Sequence, residues 1–291
     1  MQPSARSLIL DLLSTLRGGT MPVRALVEAG GLLGIAENNI RVSLARLIAS
    51  HRIERDQRGR YRLGHAVAAI SRQLRNWRNL DARMRPWDGH WLVVHTPRLG
   101  RGPARRRRER SLELLGFREL ETGLSFRPDN LLGSVIDVRN ELVGLTSGSV
   151  AEQSALGRVF RVRDLDAPSE QEVRSLWDTD SITAEVCEAA LALRESEIRM
   201  KTLTNDEAMI ESFLVGGRIL RLLVQHPLLP AEILTPTPLT ELISAMKHYD
   251  ELGRRAWATF LARHDVPHRA LPLDSRQPTP GLIPATQLAL P

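Results

Sequence analysis

A single cysteine, Cys187, occurs in the 291 residues. One thiol excludes an intramolecular disulfide and any multi-cysteine zinc site. No stretch approaches the roughly 18 consecutive apolar residues that a membrane-spanning helix requires. The opening MQPSARSLILDLLSTLR has too short an apolar run, and no small-residue cleavage site, for a secretory signal. A cytoplasmic chain with no membrane partner is therefore expected. Catalytic signatures are equally scarce. There is no metal-spaced His/Cys/Glu set, no glycine-rich phosphate loop and no Gly-x-Ser-x-Gly elbow, so the expectation is a protein that is not an enzyme and holds no cofactor. Cys187 stands among Ala, Val and Leu in a helical pattern, which predicts burial rather than nucleophilic use.

Lysine is nearly missing as well, Lys201 and Lys247 being the only two. A codon bias toward arginine accounts for that choice but not for where the arginines fall. Residues 1–110 carry 22 arginines against 8 acidic groups, whereas the remainder carries 18 basic and 26 acidic groups. A first part so positive points to a polyanionic partner for that end of the chain.

Within the basic part, residues 34–63 (GIAENNIRVSLARLIASHRIERDQRGRYRLG) read as one device. Ile40, Leu44, Leu47 and Ile48 recur at helical spacing and predict a buried face. Asn38, Asn39, Val42 and Arg46 fall on the opposite arc, with Arg41 on its flank and Ser43 nearby. Asn and Arg pair bidentately with adenine and guanine edges in the major groove, and small apolar groups suit the thymine methyl. Arg46 and Asn38 are best placed for bases, whereas Arg41 could reach a phosphate or support the fold. Two short alternating runs around Asp56-Gln57-Arg58-Gly59 then predict a β-hairpin. Its Arg55, Arg58, Arg60 and Arg62 suit the phosphate backbone or an adjacent minor groove, and Tyr61, on the other face, should pack inward.

Upstream, Ala5–Arg17 is amphipathic and ends at Gly18-Gly19. Thr20 is expected to cap a second helix with Pro22 in its first turn, and Gly30-Gly31 to end it. Helix, helix, groove-facing helix and wing make residues 1–64 a winged helix-turn-helix. Residues 65–85 read as a linker helix. Residues 86–168 interleave strands (His90–His95, Phe117–Phe126, Gly157–Asp164) with a helix over Pro103–Leu115 and a short element in Leu131–Glu141. That spacing predicts an α+β, ferredoxin-like βαββαβ domain. Residues 169–270 are helical (Ser169–Trp177, Thr183–Leu203, Asp206–Gln225, Pro238–Arg263), and the proline-rich 271–291 reads as a disordered tail.

Three strings make this ordered set similar to the PaaX family of transcriptional repressors. They are Gly34-Ile35-Ala36-Glu37 with Ile40–Leu47, then Pro86-Trp87-Asp88-Gly89-His90-Trp91, then His226-Pro227-Leu228-Leu229-Pro230-Ala231-Glu232-Ile233-Leu234. The resemblance spans roughly residues 5–263. It implies a homodimeric repressor, dimerised through the middle domain, on a palindromic operator in double-stranded DNA. It also implies release by a small-molecule effector, an acyl-CoA thioester such as phenylacetyl-CoA, bound in the helical domain, and thus control of an aromatic or organic-acid catabolic operon. His226 replaces the family's usual Asp, and TPTPLTELISAMKHYDELG stands where a Trp-x-Gly is expected.

Arg218, Arg221 and His226, on or just after the Asp206–Gln225 helix, are the candidate effector-binding residues. Arg105–Arg108 would spread over every face of a helix, giving a solvated helix end, auxiliary phosphate contacts or a site for CoA phosphates. Trp87 and Trp91 are expected in the core. Two other readings remain open on the residues: a metal-dependent nuclease built on the ferredoxin-like domain, for which the first strand offers only Asp88, and a non-specific architectural DNA-binding protein.

Overall fold

The computed structural model describes residues 3–15, 20–56, 58–64, 76–96, 102–146 and 157–267. The proline-rich 271–291 and most of the expected linker helix, residues 65–75, lie outside them. The described chain is a mixed α+β fold with two small antiparallel sheets and a helical C-terminal region.

The N-terminal part holds helices α1 (Ala5–Thr15), α2 (Val23–Leu32) and α3 (Glu37–Ala49) and strands β1 (Met21–Pro22), β2 (Ile53–Arg55) and β3 (Arg60–Leu63), ordered β1-β3-β2. Helical spacing brings Leu8, Ile9, Leu12 and Leu13 of α1 against Ala25, Leu26 and Ala29 of α2 and Ile40, Leu44 and Leu47 of α3, with Ile53 and Tyr61 closing the core. Ile48 departs from expectation and is 38% exposed. Eight residues beyond Ile40, it has turned about 80° away from the buried line and sits on the rim.

Two local expectations are corrected. Thr20 does not cap α2, because Pro22 occupies the N-cap; the Thr20 hydroxyl instead accepts from Arg60 Nε at 2.7 Å. Gly30-Gly31 does not end α2 but lies inside it. A Cβ on Gly30 would fall 2.9 Å from the Ile40 side chain, so this glycine lets α3 approach α2 closely.

In the middle part the order is β4 (Trp91–His95), α4 (Pro103–Leu114), β5 (Arg118–Glu121), β6 (Leu124–Pro128), α5 (Val135–Thr146) and β7 (Arg158–Val162). The strands form one antiparallel sheet, β5-β6-β4-β7, with Val93 opposite Phe126 on one side and Phe160 on the other. Leu92 and Val94 face a layer containing Leu112, Leu115, Val138 and Leu142 from α4 and α5. Trp91, Val93 and Phe126 face the opposite layer, with Val173, Trp177, Leu229 and Leu234. Burial on both faces explains why β4 reads WLVV without alternation. Trp91 is fully buried and stacks on Trp177, whereas Trp87 is only partly buried, under the Arg174 guanidinium.

The C-terminal helices are α6 (Ala167–Arg174), α7 (Thr179–Met200), α8 (Asn205–Gln225) and α9 (Thr237–Arg263). Side-chain caps fix three of their starts: Asp166 and Asp178 accept from Ser169 and Ser181 amides, and Thr204 with Glu207 forms a capping box. Between α7, α8 and α9, the Ser196 hydroxyl bonds both Tyr249 Oη and Glu211 Oε1 at 2.6 Å. Burial pushes the Tyr249 hydroxyl up to about 12, so it stays protonated and able to donate. Cys187, on α7, is exposed, against expectation. The apolar side of this turn of α7 is carried by Val186 and Ala189.

The N-terminal unit does not pack alone. Ala208 and Met209 of α8, Ala256 and Phe260 of α9, and Val266 complete its core. Arg24–Asp265 (3.0 Å) and Arg263–Glu28 (2.8 Å) ion pairs rim the same junction, and the His264 imidazole lies 2.9 Å from Glu28. Among the described residues, no helix is long and apolar enough to cross a membrane.

Candidate nucleic-acid interface

The core just described decides which arc of α3 is presented. With Ile40, Leu44 and Leu47 turned inward, Asn38, Asn39, Arg41, Val42, Ala45 and Arg46 are exposed and Ser43 is half-buried. Val42, 40% exposed, lies among polar neighbours. Arg41 is tied to Glu37 one turn back, its Nε donating at 2.7 Å, which leaves it partly neutralised. Arg46 has no such partner among the described residues. Asn38, Asn39 and Arg46, with the small Val42 and Ala45, thus make one polar arc carrying amide and guanidinium donors.

The hairpin follows directly. His51 takes a left-handed conformation (φ 53°) to leave α3, and β2 pairs with β3 from Ile53↔Leu63 to Arg55↔Tyr61. Asp56 organises the tip: its carboxylate accepts from the Arg58 and Arg60 amides at 2.9 and 2.8 Å, the Asx-turn geometry that aspartate favours. Gly59 adopts φ 75°, and the Arg55 guanidinium lies over it. Arg55 and Arg58 are exposed there, whereas Tyr61 is 8% exposed and faces the core.

Arg60 and Arg62 make bonds within the protein. Arg60 donates to the Thr20 hydroxyl, the Thr20 carbonyl (2.9 Å) and the Asp265 carbonyl (2.9 Å), bracing the small sheet against the end of α9. Arg62 chelates Glu54 across the hairpin at 2.9 Å.

The three effector candidates are not brought together. Arg218 is exposed, and Arg221 reaches Asp11 on α1 at 3.4 Å. His226 lines two clefts, one beside Met84, Val186 and Leu239 and another beside Arg83, Gly116 and Arg127. Its Nδ1 accepts from the Leu228 amide at 3.0 Å. Burial lowers its pKa to about 4, so it is neutral at pH 7 with the proton on Nε2. In the arginine run, Arg105 pairs with Glu109, Arg108 is buried, and Arg106, Arg107 and Arg110 are exposed.

Arg127 was not anticipated from the sequence. It is 4% exposed, and burial lowers its pKa to about 10, which leaves it charged at neutral pH. The sequence gives little signal for it, because an arginine beside Phe126 reads as the solvent side of an alternating strand. Asp88, the acid considered for a nuclease, is bound by Arg161 at 2.9 Å. Hydrogen bonding from His90 holds its carboxyl down at about 2.

No known family model and no curated protein matches this chain. It is similar in structure to an uncharacterized protein, Rv0674, from Mycobacterium tuberculosis. The two share 25% sequence identity with a TM-score of 0.55, over 88% of this chain and 98% of the other.

Proposed function

We propose that this protein is a sequence-specific DNA-binding transcriptional regulator, a repressor acting as a homodimer on a palindromic operator. The exposed arc of α3 carries the proposal. Asn38, Asn39 and Arg46 stand clear of the core on a helix whose other side is fully packed, and an arginine-tipped hairpin follows at once. Three helices and a hairpin in this order match the winged helix-turn-helix plan, in which such a helix enters the major groove. Base edges fall to Asn38, Asn39 and Arg46, with Ser43 at the margin, and phosphates to Arg41, Arg55 and Arg58. The order β4-α4-β5-β6-α5-β7 with sheet order β5-β6-β4-β7 supports a ferredoxin-like middle domain. Leu132, Ile136 and Phe160 are exposed apolar positions on it that a second copy could cover.

The shared core of the N-terminal unit with α8 and α9 supports control by an effector. A ligand that shifts α8 or α9 moves the groove-facing helix with them, and it releases DNA only if it binds the released state more tightly. An acyl-CoA thioester is the effector class that the resemblance implies.

The test is selection of bound duplexes from a random-sequence pool by the full-length protein. The expected result is an enriched inverted repeat with half-site centres about 10 bp apart or a multiple of that. A selected pool indistinguishable from the input contradicts the reading.

A further inference from the structure

We propose that the cleft between the C-terminal end of α4 and the His226–Leu228 turn is a binding site for the carboxylate of a hydrophobic organic acid, held by Arg127. The Arg127 guanidinium has three edges, and the structure uses only one of them. Nη1 donates to the Leu115 carbonyl at 2.9 Å, and the Phe117 ring lies 5.1 Å from the guanidinium carbon. Nε is completely buried and has no hydrogen-bond partner, and none is found for Nη2 among the described residues. Nε and Nη2 form the side-on edge with which arginine grips a carboxylate through two parallel hydrogen bonds.

Among the described residues no carboxylate takes that edge. Asp129, the acid two residues along the strand, is held by Arg85 at 2.9 Å and Arg161 at 2.7 Å. Glu141 and Asp129 are near enough to favour the charged guanidinium, but neither makes an ion pair with it among the described residues, and Arg83 adds a second positive charge to the cleft. A guanidinium buried without a counter-ion is unfavourable, and a bound anion removes that penalty.

The rest of the cleft selects the anion. His226 faces it, with Nδ1 occupied by the Leu228 amide and Nε2 buried and unpartnered, a neutral donor for a second oxygen. Leu80, Leu115, Leu131, Val224 and Leu228 form the walls. The paired donors of Arg127, a neutral imidazole and apolar walls match the flat carboxylate of a molecule with a hydrocarbon body. Gly116 allows the fit, since a Cβ there would meet the Pro227 carbonyl at 3.0 Å and Arg127 Cδ at 3.3 Å.

The site stands whether or not the protein binds DNA; only its regulatory consequence rests on the repressor reading. The test is calorimetric titration of the full-length protein, without DNA, with hexanoate and benzoate. Hexanamide, inorganic phosphate and hexanoyl-CoA are the comparison arms. Saturable binding of either carboxylate, absent with the amide and with phosphate, is expected. Arg127→Met should weaken it by about thirtyfold or more while retaining the fold, because an apolar side chain of similar length replaces an uncompensated charge. Should that variant fail to fold, Arg127→Lys, which keeps the charge and loses the paired donors, and His226→Asn should each weaken binding by about tenfold. No carboxylate binding, binding unchanged in the folded variants, equal binding of amide or phosphate, or binding of hexanoyl-CoA alone would each overturn the assignment.

Discussion

The His226 imidazole accepts the Leu228 amide hydrogen at 3.0 Å, and this two-residue clasp joins the helical region to the four-stranded sheet. Within it Leu228 takes φ 53°, a conformation unfavourable for a leucine. The clasp turns consecutive side chains in opposite directions: Leu228 packs with Leu223, Leu239 and Tyr249, and Leu229 with Trp91 and Phe126. Asn130 fastens the same turn by donating to the Leu228 carbonyl at 2.8 Å. An aspartate at position 226 could accept the same amide.

Because burial lowers the His226 pKa to about 4, stability should fall with acid. The unfolded imidazole takes up its proton near pH 6.5, whereas the folded one stays neutral until about pH 4. The contribution is complete above pH 6.5 and is lost as pH falls toward 4, by up to about 3 kcal/mol. His226→Asn keeps an acceptor for Leu228 and removes the titration. Denaturant melts should show the stability difference, wild type minus variant, shrinking or reversing between pH 7.5 and 4.5. A difference independent of pH would mean that the imidazole is not held neutral.

Arg46 and Arg58 should fail in different ways. Arg46→Ala is expected to weaken binding to a selected duplex by about 1–3 kcal/mol and relax preference at one base position. Arg58→Ala should weaken all duplexes alike and lower the slope of log affinity against log salt by about 1. Binding isotherms at four salt concentrations on selected and scrambled duplexes separate the two. Interchanged signatures would reverse the assignment of helix to bases and hairpin to phosphates.

Arg60 is tied into the fold at both ends of the N-terminal unit. Its bonds to Thr20 and to the Asp265 carbonyl predict that Arg60→Ala lowers stability by about 1–3 kcal/mol and leaves the salt slope of DNA binding unchanged. Thermal melts and the same salt series check this. A reduced slope at unaltered stability would return Arg60 to the phosphate contacts.

Gly30 should tolerate no side chain. The Cβ of Gly30→Ala would meet Ile40 at 2.9 Å, so a loss of about 1–3 kcal/mol is expected despite the better helix propensity of alanine. Ile40→Val should restore part of it. A stabilised Gly30→Ala protein would show that α2 and α3 are packed less closely.

Much of this architecture is legible in the amino-acid order, for identifiable reasons. The long helices announce themselves by apolar spacing and by the prolines between α8 and α9. Their observed bounds lie within a few residues of expectation, α8 beginning at Asn205 rather than Asp206. What escaped depends on partners distant in the chain. Glycine serves both to end helices and to admit a neighbour, and only Ile40 shows which use applies at Gly30. A hairpin arginine reads as a phosphate ligand, and its bond to the distant Asp265 carbonyl has no signal in the sequence. Arg221 looks ready for a ligand until α1 brings Asp11 to it. Arg127 sits where strand alternation predicts solvent, and the α4–β5 connection together with the 226–228 turn buries it.

The most direct measurement of the central claim compares affinities of the full-length protein for the selected inverted-repeat duplex and for a scrambled duplex of equal length and composition, by fluorescence anisotropy at one fixed salt concentration near physiological. A sequence-specific regulator predicts a ratio of at least about a thousandfold, collapsing when Asn38 and Arg46 are both replaced by alanine. Equal affinities for the two duplexes, falling together with added salt, would contradict it.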